Sequence, residues 1–158
     1  MVNKSQFKFT FDNIEKQYAS AINQDYTFCT CAEFVKLKRT GLPGKLIVNR
    51  VDVDLSVKGA DRLAQIYNRL GIKGSFFIRL HAPEYNPFSF ENYRIIKGWV
   101  EGGHEIGYHS EVIDQSVIWD ESAEQCLLRD IDVINRIFNI NIKNSNYSLF
   151  SSFLTSNE

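Results

Sequence analysis

The sequence predicts an α/β fold with a mainly parallel sheet, contained in a single domain over residues 1–158. Two observations carry this. Apolar, β-prone segments alternate in order with segments of helical periodicity, the pattern of successive βα units. A chain of 158 residues with 44% hydrophobic and 13% aromatic content can also bury one real core, and it is too apolar to stay disordered.

Residues 1–44 read as a helical lead-in. "FDNIEKQYASAIN", Phe11 to Asn23, carries apolar residues at helical spacing, with Asp12 or Asn13 as its cap. "YTFCTCAEF" is β-prone and short, and "AEFVKLKR" continues as a helix until "TGLPG" breaks it. Residues 45–140 form the βα core. "KLIVNRVDV" is its first strand. "SVKGADRLAQIYNRLG" is a helix with Leu63, Ile66, Tyr67 and Leu70 on one face and Gly71 at its end. "KGSFFIRL" is the second strand, and "APEYNPF" is a loop held by two prolines. "SFENYRIIKGWVEGG" is a helix opened by Ser89, with Asn92 where a capping box carries Glu. "HEIGYHS" is the third strand. "IWDESAEQCLLRDIDVINRIFNI" reads as one long amphipathic helix, and residues 141–158 as a polar and aromatic tail. Crossovers between parallel strands are expected to be right-handed.

Charge and composition narrow the function. A formal net charge of −1 gives no field for nucleic acid. No apolar run is long enough to span a bilayer, and "MVNKSQFKFTFDN" has no signal-peptide block. The three cysteines, Cys29, Cys31 and Cys126, read as reduced thiols and place the protein in the cytoplasm. Their C-x-C spacing, with no second ligand pair, is not that of a zinc site.

The chemistry starts at "LIVNRVDVDLSV", where an apolar strand runs into Asp52 and Asp54. An unpaired buried carboxylate costs several kcal/mol, and two on one strand face repel each other. A metal ion, a basic neighbour or a catalytic task resolves both problems. Alone, this D-x-D resembles the start of haloacid-dehalogenase-type phosphatases, or the metal-holding acids of nucleotide-sugar glycosyltransferases. It equally suits an acid pair salt-bridged to Arg50 or Arg79. In a parallel sheet these acids and the third-strand histidines fall on one rim, at the strand C-termini.

The second cluster, "EGGHEIGYHSEVID", is more specific. Its G-H-E-I-G-x-H-[ST] string resembles the second motif of the polysaccharide deacetylases, the NodB-homology domains of carbohydrate esterase family four. "NRVDVD", "FFIRL" with "YNPFSFENY", and the lead-in "YTFCTCAEF" resemble a divergent branch associated with surface-polysaccharide gene clusters. The resemblance covers roughly residues 14–140. It implies a partial or truncated (β/α) barrel that removes acetyl groups from a polysaccharide or glycan precursor. It also implies a divalent metal, zinc by preference, that polarises the acetyl carbonyl and lowers the pKa of a bound water. Carried over by position, His109 and Asp54 would bind the metal and Asp52 would be the general base.

This chain departs from the family pattern. Val53 splits acids that are adjacent in the family, and Ile113 stands where a second metal-binding His is usual. Glu111 and Asp114 are the nearby carboxylates that would replace it, giving an oxygen-richer site. The later family motifs have no counterpart after Asn141, so the C-terminal half of the barrel is expected to be missing.

Five further residues are expected to face substrate: Arg50, Arg79, His81, Tyr85 and Asn86, with Phe88 in the same loop for sugar stacking. The arginines equally suit neutralising the acids. His104 reads as structural, and Trp99 and Trp119 as core. An open parallel edge predicts a homo-oligomer, unless the N-terminal helix and the stretch Tyr147 to Phe153 fold over the gap. A non-catalytic relative acting as a binding or assembly partner is the alternative function.

Overall fold

The computed structural model describes residues 8–142. Its strands are β1 (Thr27–Cys29), β2 (Leu46–Val48), β3 (Arg50–Val53), β4 (Ser75–Ile78) and β5 (Glu105–Tyr108). The helices are α1 (Phe11–Asn23), α2 (Cys31–Thr40), α3 (Val57–Leu70), α4 (Phe90–Glu101), α5 (Val112–Trp119) and α6 (Ala123–Phe138). β1 and β2 form a two-stranded parallel sheet, and β3, β4 and β5 form a three-stranded one in that order. Neighbouring strands follow chain order, without the reversal that marks a doubly wound sheet. No barrel closes among the described residues.

The expected first strand is two strands joined at Asn49. The Asn49 N–H donates to the Cys29 carbonyl at 3.0 Å, and its own carbonyl accepts from Ser75 N at 2.9 Å. Its side-chain amide donates to the Lys73 carbonyl at 3.0 Å, and the residue is 2% exposed. Pairing therefore passes from β1 on one side to β4 on the other.

Alternation then sorts the side chains. Val51, Val53, Phe76, Ile78, Ile106 and Tyr108 face the helices and the core. The Trp99 ring stacks on Phe76 at 4.6 Å, while its indole N–H donates to Asp61 at 2.8 Å. α1 packs on α3, α3 on α4, and α4 and α5 on α6. Arg50, Asp52, Phe77 and Gly107 occupy the opposite sheet face. There Phe77 fills the space that a Gly107 Cβ would need, at 2.5 Å. The Arg50 guanidinium lies over the Phe77 ring at 4.0 Å. The N-terminus of α2 docks on this face's lower edge: Cys31 N donates to Ser75 Oγ at 2.8 Å, and Ala32 N to Glu105 Oε2 at 3.0 Å.

The helices confirm most of the sequence reading, with corrections. The cap of α1 is Thr10, which accepts from Asn13 N, and not Asp12 or Asn13. The long final helix is two helices. Asp120 turns left-handed at φ +53, and Ser122 then starts α6 in a capping box with Gln125. Trp119, at the end of α5, is 43% exposed and so is not a core residue. The proposed covering segment Tyr147 to Phe153 lies outside the described residues. No helix among them is long and apolar enough to cross a membrane.

Candidate rim site at the ends of β3, β4 and β5

Parallel strands open their C-terminal ends onto one rim. Asp54 follows β3 directly. Arg79 follows β4, and His109 follows β5 with its N–H donating to the Ile78 carbonyl at 2.8 Å. This places His109 Nε2 at 3.6 Å from Asp54 Oδ1. Asp54 is largely exposed, and His109 is about one-third exposed. The Nδ1 of His109 is buried without a hydrogen-bond partner.

The other expected ligands are elsewhere. Glu111 is ion-paired to Arg79, which reaches its Oε1 through Nε at 2.9 Å and Nη2 at 2.8 Å. Its Oε2 accepts from the His81 N–H at 3.1 Å. The same guanidinium touches Glu84 at 3.3 Å and the Asp54 carbonyl at 3.4 Å. Glu111 raises the Arg79 pKa above its ordinary value, chiefly by accepting its hydrogen bond. Asp114 is exposed on the first turn of α5. Asp52 is held by Arg50 at 2.9 Å on the opposite sheet face.

Among the described residues no group of three or more His, Cys, Asp or Glu side chains is arranged to hold a metal. The pair Asp54 and His109 nevertheless fits two positions of such a site. Their 3.6 Å separation is close to that of two donors each about 2.1 Å from one tetrahedral zinc.

The residues expected to face sugar are occupied in holding the loop. Tyr85 donates its hydroxyl proton to the Val53 carbonyl at 2.6 Å and accepts from Arg79 N at 2.9 Å. Burial pushes that phenol up to about 12. Asn86 accepts from Phe88 N through its side chain and from the Asn92 amide through its backbone. His104 is structural: its Nδ1 accepts from Gly74 N at 3.2 Å, and its Nε2 meets Asn68 Oδ1 at 3.2 Å. Burial, helped by the Lys73 cation, depresses its pKa to about 4.

The sequence reading passed over Asp130. It lies on α6, 3% exposed, and its Oδ2 accepts from Tyr108 Oη at 2.6 Å and Gln115 Nε2 at 2.7 Å. The same oxygen stands 3.0 Å from His81 Nε2. Burial and the Asp130 carboxylate raise the Tyr108 pKa. The sequence does carry a signal for this residue. Cys126, Asp130, Ile134 and Phe138 recur every fourth position, and all four are buried. A carboxylate inside an apolar helical stripe must find partners. Comparison with protein-family models, curated proteins and solved structures found no match.

Proposed function

We propose that the chain is a metal-dependent hydrolase removing acetyl groups from a polysaccharide or glycan precursor, on a partial polysaccharide-deacetylase-like barrel. One observation carries the reading: Asp54 and His109, drawn from the two motifs, meet at the rim within 3.6 Å. The sequential order of parallel strands supports the barrel part. Asp54 and His109 would hold a divalent ion, zinc by donor chemistry. When bound, such an ion polarises the acetyl carbonyl and lowers the pKa of a water. By the resemblance Asp52, two residues before Asp54, would take the proton of the attacking water as general base once its carboxylate leaves Arg50. The water oxygen bonds to the acetyl carbon, the bond to the sugar nitrogen or oxygen breaks as that atom takes up a proton from solvent, and acetate leaves. Arg79, fixed by Glu111, holds the Asp54 backbone in place. The three free thiols support placing this reaction in the cytoplasm.

A second reading, a non-catalytic relative that binds a partner, is favoured by one fact. Glu111 is committed to Arg79, and no third ligand joins Asp54 and His109 among the described residues. Acetate release from N-acetylglucosamine oligomers and from O-acetylated xylan, with added zinc, separates the two. Release abolished by a chelator and by Asp54→Ala supports the hydrolase. Zinc bound stoichiometrically with no acetate from either glycan overturns it in favour of the second reading.

A further inference from the structure

A surface helix ordinarily buries its apolar stripe and exposes its polar one. α5 does the reverse. Its buried side chain is a glutamine, Gln115, while Ile113, Val117 and Ile118 stand 65%, 79% and 74% exposed. Ile113 and Val117 are four residues apart, as are Asp114 and Ile118, so the four make one continuous outward face. Asp120 follows the helix, and Glu124 lies in the first turn of α6. These three acids are exposed, and none has an ion pair among the described residues; the nearby Arg129 is engaged with Glu121 at 2.6 Å. α2 is a second helix with an uncovered face. It buries none of its residues, and Phe34, Val35 and Leu37 stay partly exposed outside the core. Lys38 and Arg39 flank Val35 at i+3 and i+4, and Leu42 is exposed just past the helix. Neither cation has an ion pair among the described residues.

The two faces sit at opposite ends of the sheet. β1 and β2 are parallel, so the helix between them runs back against their direction. It starts beside Ser75 and Glu105, the first residues of β4 and β5, and its last turn is farther still from the rim. α5 begins at the rim. One chain therefore cannot bring the two faces together, whereas two copies can. We propose that the acidic, apolar face of α5 in one copy docks on the basic, apolar face of α2 in the next, head to tail. Charge selects this pairing. Setting α5 against α5 would oppose Asp114 and Asp120 with their own copies, and α2 against α2 would oppose the cations. A contact between two different faces repeats, so it builds an open chain or a ring. The proposal does not rest on the deacetylation reading.

Light scattering during size exclusion of the whole chain tests this with two double variants. Val117→Glu/Ile118→Glu spoils the α5 face, and Lys38→Glu/Arg39→Glu spoils the α2 face. All four side chains are exposed, so both variants should keep the wild-type far-UV circular dichroism. Wild type should run above the monomer mass, and each variant alone as a monomer. Mixed in equal amounts, the variants should form a species that stops at the dimer, because each retains the face the other has lost. An α2 variant that associates as wild type does would show α5 paired with α5, and overturns the proposal. So does a mixture that stays monomeric, or a wild type that is monomeric at the highest soluble concentration. A measurement on wild type alone needs no variant. Raising salt to about 1 M, where charges are screened beyond about 3 Å, should shift the assembly toward monomer. Association unchanged or strengthened there overturns the proposal as well.

Discussion

His109 Nε2 stands 3.6 Å from Asp54 Oδ1, across the ends of two strands, β3 and β5, that β4 keeps apart. The register makes the pair. Val53 is level with Ile78, and Ile78 with Tyr108, so the residues just past each strand sit side by side.

Zinc content should follow that pair. His109→Ala and Asp54→Ala are each expected to weaken zinc binding by more than the ~10–100-fold that losing an outer-shell partner costs. Metal analysis of purified protein after dialysis checks this. Equal zinc in wild type and His109→Ala removes the histidine from the site.

Asp52 and Asp54 should separate by role. Asp52→Asn is expected to keep zinc and to abolish acetate release, because the proposed reaction uses Asp52 as its base and not as a ligand. Loss of zinc in Asp52→Asn would show that the two acids have exchanged roles across Val53.

Acid should weaken the fold through His104. Its folded pKa, about 4, lies below the ordinary 6.5. The stabilisation from its neutral, buried form is complete above pH 6.5 and is lost as pH falls toward 4. Its size is at most about 3 kcal/mol. Urea melts at pH 7 and pH 4.5 should show a smaller loss of stability in His104→Gln than in wild type. Parallel losses in both proteins would remove His104 as the cause.

Gly107 should tolerate no side chain while Phe77 is present. A Cβ would meet that ring at 2.5 Å, and Arg50 lies over the same ring. Gly107→Ala is expected to cost about 1–3 kcal/mol. In a Phe77→Ala background the same change should cost much less. An undiminished cost there would place the clash elsewhere.

Association is expected in solution. β5 ends the three-stranded sheet, and Ile113, Val117 and Ile118 of α5 are all exposed. Light scattering during size exclusion should report a dimer or larger species, reduced by Ile118→Glu. A monodisperse monomer at high concentration would defeat the expectation.

Much of this was legible because it is local. The bounds of α1 and α3 followed from periodicity and, for α3, from Gly71, which ends it left-handed. β4 and β5 followed from β-prone runs between breakers. What failed was decided by partners far away in sequence. Asn49 looks like any residue inside a strand until Cys29 and Ser75 claim its two backbone groups. The break at Asp120 is encoded locally, by Ser122 and Gln125, but apolar residues at helical spacing flank it on both sides and make the two helices read as one. In the site, Asp54 and His109 followed from strand ends. The pairing of Glu111 with Arg79, and of Asp130 with His81, depends on how α5 and α6 fold back over the rim.

Asn49 gives the two small sheets a common fate. The two backbone polar groups of one residue close hydrogen bonds to β1 on one flank and to β4 on the other, so neither sheet can fray at that seam without loosening the other. Amide exchange at Asn49 and Ser75 should therefore proceed only through a single cooperative opening that carries the lead-in and the βα core together. A mechanical pull on the N-terminal helix would be felt at the strand that ends in Asp54.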